Sequence, residues 1–200
     1  MRTRIAAGAA ALVAGLAAGP PAHAAGGRYV VVGGTAYEQL QVREALRVSS
    51  FDWSVVPATI TIRIARNADS DASPGEIQLD ANLLDDGTFS WGVVQHEYAH
   101  QVEFFLFDAA TQQLLDTALG ASDWCNSGLH LAHGQYGCER FASTLAWAYW
   151  PSPENCMEPE GPDDESAAMP PAAFRALMAR LLPTLSAAAR ARAAANPPSG

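Results

Sequence analysis

The stretch "VVQHEYAHQVEFF", residues 93 to 105, places His96, Glu97 and His100 inside an apolar run. Apolar residues recur from Ser90 to about Phe107 with no Gly or Pro after Gly92, and Asp85, Asp86 and Thr88 stand just upstream, where helix starts favour them. The pattern predicts a helix over 90–107. On a helix, residues four apart lie one above the other, so His96 and His100 face the same way and can offer their imidazoles to one ion. Glu97 projects beside that pair without joining it. Two neutral nitrogen donors with a carboxylate next to them, able to take a proton from water, are what hydrolysis with zinc requires.

Chance explains the His-Glu-x-x-His spacing poorly. With five His and ten Glu in 200 residues, about 0.006 random matches are expected. The plain alternative, a structural cluster of polar side chains, has a physical difficulty. Among Val93, Val94, Val102, Phe104 and Phe105 these three groups would be partly buried and would need partners. A bound ion supplies two of those partners at once.

Working outward, "RYVVV" at 28–32 reads as a strand stopped by a Gly pair. A helix is expected next, with Thr35 and Glu38 at capping-box spacing and Leu40, Val42, Leu46 and Val48 roughly on one side. "TITIRIAR" at 59–66 alternates as a half-buried strand does, with Ile60, Ile62 and Ile64 on one face. The polar stretch 67–75 reads as a loop, and "EIQLD" at 76–80 as another short strand. Beyond the central helix, residues 138–150 have helical length and end at Pro151; between the two lies a Gly-rich segment with two histidines. Phe174, Leu177, Met178, Leu181 and Leu182 form the apolar stripe of a packing helix, which Pro183 ends or kinks. The order implies an α+β fold, a small mixed sheet with the histidine-bearing helix packed against it and further helices toward the C-terminus.

The first residues carry a different message. "MRTR" is a basic start, "IAAGAAALVAGLAAG" an apolar stretch, and Ala22-His23-Ala24 a small-residue end. Residues 1–24 read as a secretory signal peptide cleaved after Ala24, too short and Ala/Gly-rich for a membrane anchor. Residues 25–200 are then expected as one domain, secreted and free of the membrane. Loss of Arg2 and Arg4 moves the formal charge from −9 to −11. That sign argues against nucleic-acid or anionic-membrane partners, whose phosphates attract basic surfaces. Export permits disulfides, and Cys125, Cys138 and Cys156 allow one bridge with one sulfur left over.

On His96, Glu97 and His100 the sequence resembles the zincin metallopeptidases. The branch that continues with Gly and a third His is excluded, because Glu103 and Leu106 stand at those positions. The resemblance is closer to the gluzincins, whose third ligand is a glutamate on a later helix. "CERFAS" offers Glu139 about forty residues beyond His100, with Ser143 where many gluzincins carry an Asp that orients a ligand histidine. The resemblance therefore implies Zn2+ held by His96, His100 and Glu139, Glu97 as general base, and a peptide or protein substrate. Glu139 as an ordinary helix-start acid is the plain alternative. His130 and His133 stand as competing third ligands or as hydrogen-bond donors to a developing oxyanion. Asp108, Asp116 and Asp123 are minor ligand candidates, and Tyr98, Tyr136 and Tyr149 are available phenols.

The likeness also implies an edge strand before the metal helix that pairs with extended substrate, a place taken here by "GEIQLD". An ordinary edge strand is the equal alternative. Cys138 adjoins Glu139, so a bridge to Cys125 or to Cys156 would fix the start of that helix, and the sequence leaves both pairings open. The acid-rich "EPEGPDDES" reads as a solvated loop without calcium-ligand spacing. A rival function is a zincin-like exported binding protein that recognises a partner without cutting it.

Overall fold

The alternation at 60–64 sets the centre of the sheet. In a computed structural model, which describes residues 27–125 and 130–195, β2 (Ile60–Ala65) lies between two parallel neighbours, β1 (Tyr29–Gly33) and β4 (Glu76–Asp80). A fourth strand, β3 (Asp71–Ser73), runs antiparallel on the outer side of β4, giving a mixed sheet of order β1-β2-β4-β3. The register sets Ile62 beside Ile77 and Ile64 beside Leu79, and this inner face is buried while Arg63 and Glu76 face outward. Each inner aliphatic contributes about 2 kcal/mol by leaving water, whereas an exposed ion pair such as Arg63–Glu76 contributes well under about 1 kcal/mol. The inner face therefore decides the register.

Two expectations change here. The loop over 67–75 contains β3, too short to announce itself by alternation. Strand β4 is consequently not an edge: β2 and β3 flank it on both sides, and the edge on that side of the sheet belongs to Asp71–Ser73.

Helix α1 (Ala36–Val48) begins at the expected capping box. The Glu38 amide donates to Thr35 Oγ1 at 3.2 Å, and the Thr35 amide to Glu38 Oε2 at 2.6 Å. Its buried face is Glu38, Gln41, Val42, Ala45 and Leu46; Leu40, expected inside, is exposed. After β4 come a five-residue helix α2 (Ala81–Asp85), capped by Asp80, and a 3-10 turn over Gly87–Ser90. These run directly into α3 (Trp91–Leu106), so Asp85, Asp86 and Thr88 belong to the preceding turns and make no cap for α3.

Helix α4 (Ala109–Leu119) is a further element that the Gly-rich reading of the segment passed over. Its local signals are present: Asp108 accepts the Thr111 amide at the start, and Gly120 adopts φ 65° at the end. Helix α5 (Gly137–Tyr149) packs along α3, and α6 (Pro171–Ala195) covers α5 with Phe174 and Met178 fully buried. Pro183 does not end α6, which continues twelve residues beyond it. One buried cluster of side chains extends from Tyr29 to Ala189.

The stretch read as a signal peptide, residues 1–24, lies outside the described residues. Among the described residues no helix is long and apolar enough to cross a membrane.

Candidate metal centre

Helix α3 is enclosed on several sides, which is why its polar residues are buried: Gln95, His96, Glu97, His100, Gln101 and Glu103 are all under a tenth exposed. Each needs a defined role. Gln95 donates to the Ala45 carbonyl of α1 at 2.8 Å. Gln101 grips the β3–β4 turn, donating to the carbonyls of Ser73 and Glu76 and accepting from the Gly75 amide at 2.8 Å. The edge strand is thereby fixed beside the histidine face of α3. Close backing occurs at the start of the helix, where a Cβ on Gly92 would collide with Asn155 and Cys156.

The remaining polar groups converge. His96 Nε2 and His100 Nε2 lie 3.1 Å apart; Glu139 Oε2, from the first turn of α5, is 3.1 Å from the former and 3.5 Å from the latter. Bonds of about 2.0–2.1 Å to a tetrahedral ion separate ligand atoms by about 3.3 Å, so these spacings suit one small cation.

Proton placement strengthens the fit. Ser143 Oγ is 2.6 Å from Glu165 Oε1 and 2.9 Å from His96 Nδ1. The serine's single proton goes to the carboxylate, so its oxygen accepts from His96 Nδ1–H. His100 Nδ1 likewise faces a carboxylate, Glu103 Oε1, at 2.6 Å. With both Nδ1 atoms protonated, the neutral rings turn lone pairs from Nε2 toward each other and toward Glu139. Three lone-pair donors at this range demand positive charge between them. Without a metal, a proton meets the demand: burial alone would lower His100, but Glu103 and Glu139 outweigh it and push its pKa up to about 10. Burial tends to raise Glu139, yet hydrogen bonds from His100, His133 and His96 hold it far below the usual carboxylate range.

Glu97 stands beside this cluster, 6% exposed and lining the same cleft. Among the described residues no group hydrogen-bonds its carboxylate, and burial raises its pKa despite the neighbouring His96 and His100. A carboxylate of raised basicity, open to a cleft, is suited to accept and return a proton. The cleft, about 280 Å³, is bounded by Ser70, Asp71 and Ala72 on the β3 side, by Glu103 and Phe104 on α3, and by Cys125 and His133 opposite.

Of the two competing histidines, only His133 comes to the site. Its Nε2 is 3.1 Å from Glu139 Oε2 and its Nδ1 2.8 Å from Glu165 Oε2. Hydrogen bonds to those two carboxylates push it up to about 10. It lies outside the set of three donors, which consists of His96, His100 and Glu139. His130 is exposed and does not line the cleft. Asp108 caps α4, Asp116 packs against Gly137, and Asp123 bridges to Tyr136; none joins the donor set. Tyr98 is buried with its hydroxyl on the Arg28 carbonyl, and Tyr149 packs on Phe51. Tyr136 accepts the Leu131 amide.

The open question of the cysteines is resolved toward Cys125–Cys138, with Cα atoms 5.8 Å apart, and Cys156 is free and half-buried. The bridge lies against Glu139, whose Oε1 is 3.6 Å and 3.5 Å from the two sulfurs. As a disulfide these sulfurs carry no thiolate to offer a metal.

Two contributors escaped the sequence reading. Glu103 had a local signal, three residues after His100 on the same helix face. Glu165 had none, since it sits in the acid-rich segment read as a solvated loop. Compared with protein-family models, curated proteins and solved structures, this chain matches none of them.

Proposed function

We propose that this chain is an exported zinc-dependent peptidase of gluzincin type. The observation that carries the reading is the convergence of His96 Nε2, His100 Nε2 and Glu139 Oε2 within 3.5 Å of one another, next to a Glu97 carboxylate that lines the same cleft. His96, His100 and Glu139 hold the ion. Zinc in such a site supplies Lewis acidity toward water and a carbonyl oxygen.

The rest of the chemistry belongs to the chain. Glu97 takes the proton of the water that attacks the peptide carbonyl and returns it to the departing amine. His133 stands at the opposite wall with Nδ1 on Glu165 and Nε2 on Glu139; with Glu139 engaged by the ion, its Nε2–H would be released to donate toward the oxygen that becomes negative during attack. The substrate backbone lies extended along the free edge of β3, pairing its amides and carbonyls with Asp71–Ser73. Phe104, 41% exposed at the cleft, offers an apolar surface to one substrate side chain.

Glu97→Gln tests the reading. Peptide hydrolysis should fall by about 10²- to 10⁴-fold while the purified protein keeps one equivalent of zinc. Undiminished cleavage by this variant refutes the assigned role. A parent protein that holds zinc but cuts nothing in a peptide-library digest, with or without chelator, is instead a binding protein.

A further inference from the structure

We propose that Glu165 is a positioning residue that fixes the tautomer of His96 from two hydrogen bonds away. This rests on the zinc reading and adds a function for a residue outside the ligand set. A lone Ser143 could serve His96 in either direction. If its hydroxyl donated to His96 Nδ1, the ring proton would move to Nε2 and the lone pair aimed at Glu139 would be lost. Glu165 removes that choice. Its Oε1, 2.6 Å from Ser143 Oγ, takes the hydroxyl proton, so that the serine oxygen accepts His96 Nδ1–H at 2.9 Å.

The arrangement is built rather than incidental to a surface loop. Glu165 opens the 3-10 turn Glu165–Ala167, which Asp164 caps through the Ser166 amide at 3.1 Å. Thr144, next to Ser143 on α5, donates to the Glu165 carbonyl at 3.3 Å. Ser143 and Thr144 are fully buried. The second oxygen, Oε2, holds His133 Nδ1 at 2.8 Å, so one carboxylate orients side chains on two sides of the cleft.

The test measures zinc affinity by competition with a chromophoric chelator, and the visible spectrum of the cobalt-substituted protein as a report on ligand geometry. Glu165→Ala and Ser143→Ala should each weaken zinc about 10- to 100-fold. Because the two act in series, the double variant should lose no more than the larger single loss. Ser143→Asp in the Glu165→Ala background gives His96 a carboxylate acceptor directly, and should restore affinity to within a few-fold together with the parental cobalt spectrum. Urea unfolding of each metal-free variant checks that the fold is retained. Parental affinity in Glu165→Ala, losses that add in the double variant, or failure of the Asp rescue in a folded protein each overturn the inference. If the parent itself binds no zinc, the metal reading falls too; if the parent binds and only the series relation fails, that reading stands.

Discussion

The two ends of the histidine pair are supported in different ways. His100 meets Glu103 three residues along its own helix, at 2.6 Å, with the carboxylate 3% exposed. His96 reaches Ser143 on another helix, 47 residues away, and through it Glu165 beyond the end of α5. The first contact forms wherever α3 is helical; the second exists only after α5 and the following loop have docked. Orientation of the two histidines therefore depends on different depths of folding.

Four experiments sharpen or break this contrast. The largest effect should come from Glu103→Ala. It strands the buried His100 Nδ1, and loss of one partner of such a pair costs about 3–5 kcal/mol. The Glu103 Oε2 is buried without a hydrogen-bond partner among the described residues, so His100 is this carboxylate's main stabilisation. Urea unfolding should record the loss, and unchanged midpoints would show the helix-internal pair to be incidental.

Next in size is the disulfide, which anchors the long-range side. Replacing both Cys125 and Cys138 by Ala opens a bridge of sequence separation 13 and should lower stability by about 3 kcal/mol. Zinc affinity should fall with it, since Glu139 loses the support of the bridge. If thermal unfolding shifts and zinc binding does not, α5 docking alone sets Glu139.

A smaller effect concerns protons. With no metal bound, His100 is pushed up to about 10 by Glu103 and Glu139 against the opposing effect of burial, so under the proposed function zinc binding at neutral pH would displace a proton from it. Apparent affinity should rise by about tenfold per pH unit from about 7 toward 10 and then level off. The sign reverses for folding without metal. A histidine with a raised native pKa contributes stability that is complete below about 6.5 and is lost as pH rises toward 10. Titrations across pH in chelexed buffer, followed by zinc uptake and by unfolding, check both slopes. The smallest effect is expected at Glu76→Gln, which removes the exposed Arg63 pair at 3.1 Å and should change stability by less than about 0.5 kcal/mol.

The same contrast explains what could be read before folding. His96, Glu97 and His100, the capping box at Thr35 and Glu38, and the alternating isoleucines of β2 are local patterns, with spacings set by helix or strand geometry. Glu139 became legible through its resemblance to a known layout. Ser143 donating to Glu165 has no local period, because loop chemistry alone does not tell which acid turns inward. Leu40 looked like core but is exposed, since the neighbours of α1 cover the Val42–Leu46 side. Pro183 reads as an end or a kink, and of the two the end does not occur, since α6 passes through it; tertiary packing around Phe174 and Met178 outweighs one missing backbone hydrogen bond. Strand β3 lacked the length for a pattern, and its place at the edge followed from pairing that only the folded sheet defines.

Gln101 carries a consequence for motion. A three-residue strand at a sheet margin would ordinarily fray within fractions of the global unfolding energy, and its amide hydrogens would exchange quickly. Here one carboxamide ties the adjoining turn to the interior helix by three hydrogen bonds, so the strip and the helix should open together. Deuterium uptake at the β3 amides that face β4 should then follow that of α3 and lag well behind that of the paired amides at the other margin, Tyr29–Gly33.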